Sequence, residues 1–117
     1  MCTMILASLI LNILVLIPVT GGIIRNTEWV KQAYGEDSPG RRILLAVYMV
    51  ILIASVGFLF FQDEQYEQYI LALFVFQIFY KLITPITTRT LRNPVVVSNL
   101  GIALFHSVTV YLMIYNA

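Results

Sequence analysis

Four long apolar stretches fill most of this 117-residue chain, and its charged residues gather between them or at their ends. Because roughly 20 apolar residues cross a bilayer as a helix, four such stretches leave no length for a separate soluble domain. A chain that is 60% hydrophobic and 11% charged also has too little polar surface to coat a water-soluble globule of this size. The sequence predicts an all-α integral membrane protein: four transmembrane helices in one compact bundle, a single domain over residues 1–117. The expected spans are about 2–19, 43–61, 69–83 and 94–115.

The charges set an orientation. All seven basic residues belong to two of the three connections: Arg25, Lys31, Arg41 and Arg42 to the first, and Lys81, Arg89 and Arg92 to the third. The middle connection carries only acids, Asp63, Glu64 and Glu67. By the positive-inside rule, loops 25–42 and 84–93 are expected on the cytoplasmic side, with both termini and loop 62–68 on the other. A net charge of +1 without a basic stripe gives no basis for a nucleic-acid partner.

Local signals refine the spans. Pro18 and the pair Gly21 and Gly22 are expected to weaken the first helix as it leaves the membrane, giving a kinked or unwound exit. Residues 26–34 suggest a short interfacial helix, with Trp29 and Tyr34 at headgroup depth, before a breaker run over 35–40. The short acidic segment 62–68 predicts an antiparallel hairpin of the second and third helices. Asn93 followed by Pro94 reads as an N-cap and first helical position for the fourth. The first stretch lacks a basic leader and exceeds a usual signal-peptide core, so it is read as a retained helix. Cys2, the only cysteine, offers no disulfide and reads as a small residue near the chain end.

Candidate chemistry is sparse. Gln77, Lys81, Thr84 and Thr88 recur on one face of the third helix if it continues through Pro85. Lys81, near the helix end, is expected first to snorkel toward the headgroups or make a structural hydrogen bond, second to contact another subunit or a headgroup, and third to serve transport or catalysis. In the fourth helix His106 follows Asn99 by seven residues, on nearly the same face. An imidazole at that depth suits a packing hydrogen bond first, a cofactor or quinone contact second and proton transfer third. Together Gln77, Lys81, Asn99 and His106 form a candidate transport or interface face. Ser8 and Asn12 are read as packing contacts, since an Asn in hydrocarbon finds a partner. Arg89, Arg92 and Trp29 are candidate contacts to lipid headgroups or to a partner protein.

No phosphate loop, nucleophile elbow or metalloprotease motif occurs, and no catalytic residue, metal site or specific cofactor is assigned. The expected function is that of an accessory or structural subunit of a larger membrane complex, plausibly redox or energy-converting, which acts by packing and by positioning lipid or cofactor. Membrane lipids, other membrane subunits or copies of the chain are the expected partners. The alternative is a small homo-oligomeric channel or transporter with its polar pathway on the third and fourth helices.

Overall fold

The computed structural model describes residues 3–61 and 63–115, and these are helical with no strand among them. Five helices follow in order: α1 Thr3–Arg25, α2 Glu28–Tyr34, α3 Pro39–Phe60, α4 Glu67–Thr88 and α5 Pro94–Tyr115. A single 3-10 turn, Glu64–Tyr66, precedes α4. Four of the helical segments are long and apolar enough to cross a membrane, α4 being counted with the turn before it. Cys2, the start of the first predicted span and Gln62 of the acidic loop lie outside the described residues.

The first helix does not end near Val19. Pro18 lacks the N–H that would serve the Leu14 carbonyl, yet α1 continues to Arg25. The Thr20 hydroxyl helps by donating to the carbonyls of Leu16 at 2.7 Å and Ile17 at 3.2 Å, the kind of side-chain support that lets apolar helices carry a proline. The helix stops at Asn26, which takes a left-handed φ of 55°. There the Asn26 N–H returns to the Ile23 carbonyl and the Thr27 N–H to that of Gly22, closing the last turn as a Schellman motif.

Gly22 marks a close approach rather than a break. A Cβ at this position would sit 2.7 Å from Cζ2 of Trp29 and 2.8 Å from Cγ2 of Val30, so only a glycine lets α2 lie against the end of α1. The short helix expected over 26–34 is α2, starting at Glu28.

The breaker run is likewise shorter than expected. Ser38 caps α3 by accepting from the Arg41 N–H at 3.1 Å, and Pro39 takes the first helical position. Helix α3 thus starts before residue 43.

Helix α4 runs past Ile83 to Thr88, through Pro85. Thr84 donates to the Tyr80 carbonyl at 2.7 Å, while Thr87 and Thr88 both donate to that of Thr84. These hydroxyls stabilise a turn that Pro85 would otherwise weaken. It ends at Arg89, a non-glycine residue at φ 58°. Helix α5 spans the expected residues, and the Asn93 side chain accepts from the Val95 N–H at 2.9 Å.

The described residues fall into two compact units, 9–61 and 3–8 with 63–115. In the first, the Asn12 amide donates to the Ser55 hydroxyl at 3.1 Å, both residues buried. Tyr34 meets Tyr48 edge to face at 6.0 Å. In the second, α4 packs against α5. Ser8 shares a 2.6 Å hydrogen bond with Thr109.

Candidate functional site

The α4–α5 seam holds the sequence's polar candidates. Ile70, Phe74, Gln77 and Lys81 form the buried face of α4, following the i, i+4, i+7 pattern of one helical stripe. Val96, Asn99, Ala103, His106 and Met113 lie on the buried side of α5. The fixed point between the helices is Phe74 on His106, stacked with ring centroids 4.9 Å apart. A five-residue connection makes neighbouring helices antiparallel. From that fixed point each step forward on α4 is matched by a step back on α5. Gln77 therefore lies level with Ala103, and Lys81 level with Asn99, about 10 Å along the helix axes from the ring pair.

All four residues of the predicted polar face are buried: Gln77 1% exposed, Lys81 5%, Asn99 9% and His106 0%. Thr84 is only partly buried and Thr88 is exposed, so the stripe turns outward toward the end of α4. The Lys81 side chain lies within the packed chain and does not extend from it as snorkelling would, a placement compatible with the structural hydrogen bond also expected of it. Among the described residues no carboxylate lies within 4 Å of its ammonium. The ammonium lies over the Tyr80 ring, with Nζ 5.7 Å from the centroid. Gln77 Nε2 is buried with no hydrogen-bond partner among the described residues. A buried donor without a partner costs about 1–3 kcal/mol.

The imidazole of His106 is differently placed. Phe74 covers one face of the ring and Phe105 approaches edge-on at 6.5 Å. With no exposed surface, the ring cannot meet a haem-sized group unless Phe74 moves aside. A small carbonyl or hydroxyl ligand would also need the seam to open. Among the described residues no three His, Cys, Asp or Glu side chains gather as a metal ion would need.

Hydroxyls near the seam serve the helices themselves. Besides its bond to Ser8, Thr109 lies 3.2 Å from the Phe105 carbonyl, and Ser107 donates to that of Ala103 at 2.7 Å. Arg89 and Arg92 are exposed where α4 meets α5, as a headgroup contact requires. Trp29 is 45% exposed and divides its ring between Gly22 and the outside.

Sequence reasoning overlooked Arg41, which it counted only as a topology charge. Its side chain is 3% exposed. Nη1 donates to the Gly35 carbonyl at 2.9 Å and Nη2 to Asn26 Oδ1 at 2.7 Å. Gly35 adopts φ 89°, a conformation suited to glycine, and its carbonyl is the one that meets the guanidinium. The available signal was the Ser38-Pro39 cap, which puts Arg41 in the first turn of α3, pointing back over the loop. Arg42 stays 72% exposed and forms a two-point pair with Asp37, 2.9 Å to Oδ1 and 2.7 Å to Oδ2. That hydrogen bonding holds the Asp37 carboxyl below its ordinary range.

No family model matches this chain, and no curated protein or solved structure matches it either.

Proposed function

We propose that this chain is a multi-pass membrane protein serving as a non-catalytic accessory subunit of a larger membrane complex of the redox or energy-converting kind. It acts by packing and by holding lipid or cofactor in place. The observation that carries this reading is the division between inside and outside. Gln77, Lys81, Asn99 and His106 are turned inward, whereas Phe60, Tyr69, Phe76 and Phe79 are each more than half exposed. A lone chain thus offers neighbours an aromatic, apolar outer surface suited to acyl chains or to the helices of other subunits. The basic connections, with Arg89, Arg92 and Trp29, are assigned to the cytoplasmic headgroup layer, and both termini to the other side.

One observation favours a second reading. Among the described residues, Gln77 Nε2 is buried with no hydrogen-bond partner and, one turn on, Lys81 is buried with no carboxylate within 4 Å. In a small homo-oligomeric channel or transporter, water or a solute passing along α4 and α5 would serve them.

Extraction of the tagged chain in mild detergent followed by native electrophoresis separates the two. Migration with unlike membrane subunits supports the accessory role. A pure homo-oligomer that conducts ions or metabolites in liposomes overturns it and selects the channel.

A further inference from the structure

At the junction of α1 and α3 lies an open cleft of about 330 Å³. Asn26, Asp37, Arg41 and Arg42 make its polar wall, and Ile23, Ile24 and Leu45 its apolar wall. Two guanidiniums against one carboxylate leave the cleft positive. The polar wall is built by the fold: Arg41 is pinned by Gly35 and Asn26, and its buried Nε has no hydrogen-bond partner among the described residues. The apolar wall belongs to the two helix ends, where Ile24 stands 65% exposed and Leu45 is half-buried. An occupant that suits both walls carries an anionic oxygen cluster at one end and a hydrocarbon chain at the other. Guanidinium groups recognise such oxygens in two-point geometry.

We propose that this cleft binds the phosphodiester of an anionic membrane phospholipid, with the phosphate on Arg42 over the Arg41 floor and an acyl chain along Ile24 and Leu45. Asp37 competes with the phosphate for Arg42, so it tunes the site rather than forming it. The site differs from the Arg89 and Arg92 connection. It rests on the membrane reading above, including the role of holding lipid, but not on the assignment to a larger complex. Lipid bound to the isolated chain tests the one, and co-purifying subunits test the other.

The test uses the purified full chain, stripped of lipid in detergent and offered phosphatidylglycerol, phosphatidylcholine with the same acyl chains, or inorganic phosphate. Bound lipid is read by native mass spectrometry. Phosphatidylglycerol should be retained about tenfold over phosphatidylcholine, and Arg42→Gln, at an exposed position, should cut that retention about fivefold. Asp37→Asn should keep or raise it. Equal retention of the two lipids, no effect of Arg42→Gln, or a fall with Asp37→Asn as large as with Arg42→Gln would overturn the site. Displacement of phosphatidylglycerol by equimolar inorganic phosphate would overturn the lipid as its source.

Discussion

The imidazole of His106 lies on the phenyl ring of Phe74, with centroids 4.9 Å apart and planes 15° from parallel. This pair sets the register of α4 against α5 and so levels Lys81 with Asn99. Offset aromatic stacking adds about 0.5–1.5 kcal/mol to the area the rings bury. Ring shape at position 106 should therefore matter for folding. His106→Ala should lower stability by about 2–4 kcal/mol through the cavity left under Phe74. His106→Phe should stay within about 1.5 kcal/mol of the parent. Denaturant unfolding in detergent, followed by circular dichroism, checks both. Equal losses would show that a nitrogen contact, not packing, holds the ring.

Lys81 separates stability from function. Burying an ammonium in a membrane helix costs about 2.5–3.5 kcal/mol on insertion scales, and no carboxylate within 4 Å offsets it among the described residues. Lys81→Met keeps the stem length without the charge. It should leave the isolated chain as stable or more stable, by about 1–3 kcal/mol, while weakening recovery of the assembled complex. A variant that is less stable alone would show that the ammonium is satisfied inside the chain.

At the α1–α2 corner the two glycines should respond oppositely to a methyl group. Gly22→Ala drives a Cβ into Trp29 and Val30 and should cost about 1–3 kcal/mol. Gly21→Ala meets nothing within 4 Å and should gain about 0.5–1 kcal/mol from helix propensity. Trp29 is the only tryptophan, so its emission reports the corner directly. A shift in Gly22→Ala with none in Gly21→Ala is expected.

The Asp37 carboxyl supplies a pH signature. Hydrogen bonds from Arg42 lower its pKa in the folded chain, so the stabilisation they give is complete above the ordinary aspartate value of about 3.9 and fades as pH falls through the folded value. Carbon-13 NMR of labelled Asp37 should show titration below about 3.9, moving up toward it in Arg42→Gln. An unshifted midpoint in that variant would assign the effect elsewhere.

How much of this was legible in the sequence depends on which force sets each feature. Apolar length alone locates four helices, and Asn93-Pro94 gives the start of α5 to the residue. Asn12 was expected to find a partner, but that the partner is Ser55 follows from packing across 43 positions of sequence. Pro18 and Pro85 misled because a proline's lost hydrogen bond is weighed locally, whereas nearby threonine hydroxyls and apolar surroundings keep both helices intact. Arg41 and Lys81 were read by charge. Their burial depends on loop closure at Gly35 and on the α4–α5 register, neither of which any periodicity encodes.

The most direct test of the accessory role is native mass spectrometry of the protein released from its own membrane in mild detergent, with an absorption spectrum of the same sample. The account predicts a mass that exceeds any whole multiple of this chain by the masses of unlike subunits and retained lipid. A colourless species at a whole multiple of the chain mass, which moves ions when placed in liposomes, would contradict it.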